Sequence, residues 1–189
     1  MRITKEKIFI TAMELFKAKG FDATQVSEIA EKAGIGKGTF FNYFPTKQSI
    51  FGYLGRMNAD ELAKALKKGL AEDRPMSEIL IDQAKRIAAW CESNSDTIRQ
   101  AVAAGSFQFA GPGGDSENRS DLRDLLAGII ERGQARGEFR SEVSVRIAAL
   151  SIEGMYFSII ADWARTQGSS SLASSLDTGI EILFSGMRS

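Results

Sequence analysis

Apolar residues along this chain recur at helical rather than strand spacing. Ile8, Ala12, Leu15 and Phe16 fall at i, i+4, i+7 and i+8, and Gly20 follows as a stop signal. Val26, Ile29, Ala30 and Ala33 repeat at three and four, which predicts a short helix over Val26–Ala33 closed by Gly34. A third short helix is predicted over Lys37–Tyr43, because Pro45 cannot continue it. A longer one fits 47 to about 70, with Ile50, Tyr53, Leu54, Met57 and Leu62 among its apolar positions. After the break at Asp73-Arg74-Pro75, helical spacing predicts elements over 77–91, 97–104 with a possible continuation to 109, 122–135, Val145–Arg165 and Leu172–Met187. The run Ser93-Asn94-Ser95-Asp96 reads as a turn with an N-cap, 111–116 as a glycine-rich loop, and 168–171 as a polar hinge. β-Branched alternation is almost absent, so the expected class is all-α, with about nine helices and no strands.

Two predicted short helices around Gly34-Ile35-Gly36 form a helix-turn-helix pattern. The second begins Lys37-Gly38-Thr39, which puts a cation, bare backbone and a hydroxyl at a helix N-terminus, where phosphate is favoured. Asn42 can read adenine through two hydrogen bonds, and an aromatic ring can meet a thymine methyl. Charge agrees with a nucleic-acid footprint in this part of the chain. The protein has 24 basic and 24 acidic residues, yet residues 1–58 carry nine basic and five acidic ones, +4 against −4 for the remainder.

Composition narrows the alternatives. The chain of 189 residues has one cysteine, Cys91, so no intramolecular disulfide forms and a thiolate zinc site is nearly excluded. It has no histidine, which removes every Ser-His or Cys-His pair and the commonest metal ligand. No cofactor or metal is expected. A small all-α enzyme and a helical protein-interaction module remain as alternatives, the first weakened by the missing histidine and the second by the basic N-terminal segment. The first residues mix Lys and Glu into their apolar positions, and no stretch reads as a bilayer span, so a cytoplasmic protein without a membrane partner is expected.

The run GFDATQVSEIAEKAGIGKGTFFNYFPTKQSIF, residues 20–51, resembles the DNA-binding domain of TetR-family transcriptional regulators. The matching marks are Ala12, Phe16, Gly20-Phe21, Ala23-Thr24, Ile29-Ala30, Ala33-Gly34 and, most diagnostically, Lys37 to Phe44 followed by Lys47. The resemblance covers about 50 residues and implies a three-helix DNA-binding domain over 1–47. A helical ligand-sensing and dimerisation domain over 48–189 would follow, with the fourth helix connecting the two.

By the same resemblance Lys37, Gly38 and Thr39 lie at the major-groove rim, Phe41 and Asn42 face bases, and Tyr43 and Lys47 meet phosphate. Thr24, Gln25 and Ser27 are further implied phosphate contacts, although Gln25 stands where a second Thr is frequent and Ser27 where a longer basic residue is frequent. Phe40 and Phe44 are expected to pack inward.

The resemblance further implies a homodimer on double-stranded, pseudo-palindromic operator DNA, acting as a repressor that a small-molecule effector releases. Dimerisation falls to the last two helices, and one helix-turn-helix reads two half-sites only with a symmetric partner. For the effector site the large side chains available are Trp90, Phe107, Phe109, Met155, Tyr156 and Trp163. Glu153, inside an apolar helix, either anchors a cationic ligand group or faces solvent beside Arg146 or Arg165. Cys91 reads as a small buried hydrophobe.

Overall fold

A computed structural model describes residues 2–103, 116–166 and 170–188. Among them are nine helices and no strand: α1 (Arg2–Lys19), α2 (Val26–Ala33), α3 (Lys37–Tyr43), α4 (Ser49–Ala71), α5 (Met76–Ser93), α6 (Ser95–Ala103), α7 (Ser116–Ala135), α8 (Val145–Arg165) and α9 (Leu172–Met187). Helices α2, α3, α8 and α9 carry the bounds expected from apolar spacing, and α4, α5 and α6 differ from theirs by no more than two residues at each end. The clearest difference is α7, which starts six residues before the expected 122. Its first residues, Ser-Glu-Asn-Arg-Ser-Asp, are polar throughout, so apolar periodicity gives no sign of them. Of the loop expected at 111–116, Ser116 is instead the first residue of α7, while 111–115 and the continuation of the sixth helix lie outside the described residues.

Local chemistry sets the turns. Gly34 closes α2 in the left-handed region at φ 74°, where a Cβ would be strained. Its N–H donates to Glu31 O at 3.0 Å and the next N–H, of Ile35, to Ala30 O at 2.9 Å. Gln25 precedes α2, and its N–H donates to the Glu28 carboxylate at 2.8 Å, as in a capping box. The Lys19 ammonium and then this Gln25 N–H hold the Glu28 carboxyl below its ordinary pKa.

Two apolar cores result. The N-terminal one is aromatic: Phe16, Phe21 and Phe51 stack with centroids 5.0–5.6 Å apart, and Phe40 and Phe44 lie buried beneath α3. The first turn of α4 belongs to this core through Ile50, Phe51 and Tyr53, whereas Ala59, Leu62 and Leu66 further along α4 enter the C-terminal core. One helix is therefore built into both. Trp90 of α5 packs against both cores, and Ala101 of α6 is buried in the N-terminal one.

The C-terminal core is a bundle in which α4 packs on α7, α7 on α8, α8 on α9 and α9 on α5. Close approach is enforced at Gly133, where a Cβ would sit 2.2 Å from the ring of Phe139. In its centre Glu153 of α8, 2% exposed, accepts from Arg123 Nε at 2.9 Å and Nη2 at 2.7 Å. That assignment replaces both sequence expectations for Glu153: its partner comes from α7, not from solvent, a ligand, Arg146 or Arg165. By length and composition alone α8 could cross a membrane, contrary to expectation, but half of its apolar window is buried inside the bundle.

Removing Arg123 would leave a carboxylate buried without its partner, which costs about 2–4 kcal/mol. Arg123→Ala is expected to lower the Tm by roughly 5–15 °C. Arg123→Leu combined with Glu153→Leu should recover most of that loss, as thermal unfolding followed by circular dichroism would show.

Candidate functional site

The face formed by α2, α3 and the turns around them carries the residues singled out for DNA. On α3, Lys37, Gly38, Thr39 and Asn42 are exposed, Phe41 is 42% exposed and Tyr43 is half-buried. The short helix alternates its faces: Phe40, 0% exposed, anchors it to the core, so Phe41 and Asn42 must project away from the core. Phe41 packs edge-on against Phe40 at 5.5 Å, which orients its ring. Gln25 and Ser27 are exposed at the start of α2, and the Ser27 hydroxyl donates to Gln25 Oε1 at 3.4 Å.

Two residues of the expected contact set have other work. Thr24 is 1% exposed and its hydroxyl donates to Gly20 O at 2.7 Å, so it presents no hydroxyl at the surface. Lys47 points inward. Its ammonium donates to Phe21 O at 2.6 Å and Thr24 O at 2.9 Å, with Asp22 O at 3.4 Å, and lies 4.2 Å from the Phe21 ring centroid. A cation whose donors are spent on main-chain carbonyls is a brace for the α1–α2 turn rather than a free phosphate ligand. Three further lysines are also committed: Lys19 to Glu28, Lys32 to Glu14, and Lys5 over the rings of Phe44 and Tyr53. The +4 of the segment therefore overstates the free positive charge near α3, where Lys37 is exposed and carries no ion pair among the described residues.

Within the C-terminal bundle a cavity of about 200 Å³ opens between α4, α5, α6 and α8. Met57, Ile87, Trp90, Ile98, Phe157 and Ile160 give it apolar walls. Polar groups at Asn58, Gln83, Glu61 and Arg86 share the lining, the last two exposed. Of the six side chains expected at an effector site, this cavity takes Trp90. Tyr156 is buried in the core and its hydroxyl donates to Leu80 O at 3.3 Å; burial raises the phenol pKa above its ordinary range, with the Asp177 charge adding to it. Met155 packs on α9, its sulfur 2.6 Å from where a Cβ on Gly179 would lie. Trp163 lines a separate groove of about 520 Å³ between α8 and α9, with Ser158, Asp162, Ser174 and Thr178. Phe107 and Phe109 lie outside the described residues. Size and aromaticity did not separate core from cavity, because both demand large apolar groups. Cys91 also lines the cavity; burial pushes its thiol pKa up to about 12, so it is held as the neutral thiol.

The cavity and the N-terminal core meet at α6. Ile98 of α6 lines the cavity, and two residues later Gln100 Oε1 accepts from the Phe21 N–H at 2.5 Å. Phe21 is the residue whose carbonyl Lys47 holds. No sequence signal marks Gln100, whose partner lies 79 residues away.

Comparison with known proteins bears on both parts. The family model for bacterial regulatory proteins of the tetR family matches residues 8–54, and that for the tetracyclin repressor-like C-terminal domain matches residues 116–187. The transcriptional repressor KstR2 of Rhodococcus jostii is 26% identical over 185 residues, covering 94% of this chain and 88% of that protein. The fatty acid metabolism regulator protein of Bacillus subtilis is 25% identical, covering 96% and 94% respectively. Among solved structures, the Thermus thermophilus repressor FadR in complex with lauroyl-CoA has a TM-score of 0.79 at 27% identity, covering 98% of this chain and 95% of that one.

These placements separate two lysines by experiment. Lys37→Ala should weaken binding to every duplex and reduce the slope of log Kobs against log salt by about one. Lys47→Ala should cost about 1–2 kcal/mol of folding stability through its lost charge-assisted hydrogen bonds. Its salt slope should stay close to that of the unsubstituted protein, as measured by fluorescence anisotropy across a salt series.

Proposed function

The chain belongs to the TetR family of bacterial transcriptional regulators, and we infer that it is a ligand-responsive DNA-binding repressor and not an enzyme. From this we propose that its effector is an acyl thioester whose acyl portion enters the cavity between α4, α5, α6 and α8. The observation that carries the proposal is the cavity itself: its walls are apolar and suit a hydrocarbon chain, and of the two exposed charged groups at its lining, Glu61 and Arg86, the guanidinium offers a partner for an anionic head. The lauroyl-CoA complex of the Thermus thermophilus repressor supports this class of ligand.

TetR regulators bind operators as dimers. Here α8 and α9 offer the pairing surface: Ile147 and Ile182 are 55% and 66% exposed, and Gly179 lets α8 and α9 approach closely. Two symmetry-related α3 helices would then read a pseudo-palindrome in the cytoplasm. On each half-site Phe41 and Asn42 face the bases. Lys37, Thr39, Tyr43, Gln25 and Ser27 hold the backbone, with Gly38 leaving room for its approach.

Release follows from the shared α6. A ligand filling the cavity presses on Ile98, and the displacement of α6 reaches the DNA-binding domain through Gln100 and Ala101. Only a difference in ligand affinity between the DNA-competent and incompetent conformers can drive this. A coupling of about 1–3 kcal/mol corresponds to roughly a 5–150-fold loss of operator affinity.

Selection of bound duplexes from a random library should return a two-fold symmetric consensus, and a medium- or long-chain acyl-CoA should then weaken binding to it. In Gln100→Ala, operator affinity without ligand should stay within about threefold and acyl-CoA affinity should persist, while the ligand-induced loss falls below about fivefold. Full release in that variant would reject the α6 route. Operator binding unaffected by every acyl-CoA tried would reject the effector class.

A further inference from the structure

Charge pairs fasten α1 to α2. Lys19 of α1 meets Glu28, and Glu14 meets Lys32 at 3.0 Å. Lys7 lies two helical turns before Glu14, on the same face of α1. Where a third acidic partner on α2 would face it, the chain has Gly34. The Lys7 ammonium stands 3.9 Å from where a Cβ on that glycine would lie. The C-terminal end of α2 attracts a cation, which accounts for the ammonium being held there. Lys7 is exposed and has neither an ion pair nor a hydrogen bond among the described residues. The neighbouring carboxylates are turned elsewhere. The Glu6 charge acts on Lys64 of α4, Glu14 holds Lys32, and Glu31, three residues before Gly34, makes no ion pair with Lys7.

Gly34 opens the turn between α2 and α3, and Lys37 follows three residues later, at most about 11 Å of extended chain away. Lys7 therefore brings a second unpaired cation to this turn, from a helix outside the helix-turn-helix. A duplex carries a backbone charge about every 1.7 Å of its axis, so one docked on α3 presents several phosphates over such a span. Resting on the DNA-binding reading above, we propose that Lys7 is a further operator contact, whose ammonium takes a backbone phosphate beside the helix-turn-helix turn. The contact positions the duplex and reads no base. Lys5, two residues earlier, has the other task at the start of α1: it lies over the rings of Phe44 and Tyr53.

The test is fluorescence anisotropy of the full-length protein on the duplex recovered by selection from a random library, across a salt series. Lys7→Gln should reduce the slope of log Kobs against log salt by about one per protomer bound, and lower affinity at least about threefold near 0.15 M salt. Lys7→Arg should restore the slope. Selection with Lys7→Gln should return the same consensus, since a phosphate contact carries no base information. Lys17→Gln removes the same charge from an exposed position about 15 Å further along α1, and should leave the slope unchanged. A smaller folded fraction lowers apparent affinity by one factor at every salt concentration, so the slope isolates the contact from a folding defect. An unchanged slope in Lys7→Gln, on a duplex where Lys37→Ala lowers it, overturns the assignment and leaves the DNA-facing surface of α3 standing. Equal decreases in Lys7→Gln and Lys17→Gln trace the effect to net charge and overturn it as well. If the unsubstituted protein binds no selected duplex even at low salt, the DNA-binding reading itself falls and the Lys7 contact with it.

Discussion

The turn between α1 and α2 is held by opposite faces of one peptide neighbourhood. Phe21 offers its carbonyl to Lys47 and its N–H to Gln100. From one side the turn is braced by the chain leaving the recognition helix; from the other it is gripped by the helix that walls the internal cavity. The Phe21 ring is stacked with Phe16 and Phe51, so the backbone at this point cannot relax without disturbing the aromatic core. Since α2 starts directly after this turn and α3 packs on α2, the direction of the DNA-reading surface depends on it. A brace made of a lysine and main-chain carbonyls is rigid on the DNA side. On the cavity side the turn is held by a single amide hydrogen bond.

The same division runs through the rest of the molecule. The N-terminal core is built largely from aromatic rings. The C-terminal bundle places polar groups inside: Glu153 with Arg123, Gln83 with Asn58, and Tyr156 on Leu80 O. Buried polar pairs restrict how the helices may slide, because each displaced pair exposes a charge or an orphaned acceptor. Helix α4, whose two ends lie in different cores, and α6, which touches the cavity and the turn, are the elements through which these two bodies can communicate.

Much of the fold was legible from spacing alone, and the reasons are local. Gly34 and Pro45 bracket α3 because neither can continue a helix in the ordinary way, and the apolar stripes of α8 and α9 mark their full length. Six polar residues at the start of α7 were invisible for the complementary reason, since a run without apolar residues carries no apolar periodicity. The candidate site was less legible. The exposure of Phe41 and burial of Phe40 follow from the short helix having one side on the core, but nothing at position 47 distinguishes a lysine that meets phosphate from one that meets carbonyls. Of the four described side chains among those expected to hold a ligand, Trp90 alone lines the cavity, because core packing and ligand walls call for the same residue types.

The sequence by itself determined the class, the helix order, the helix-turn-helix and the exclusion of histidine chemistry, because these rest on residue type and on neighbours a few positions apart. Tertiary structure alone decided that Lys47 is a brace, that Glu153 belongs to Arg123, that the cavity is lined by Gln83 and Cys91, and that Gln100 joins its wall to the α1–α2 turn. Each of those pairings spans from about 25 to about 80 residues, and a hydrogen bond has no sequence signature at such distances. Direction and partner are set only when packed helices bring the two groups within reach.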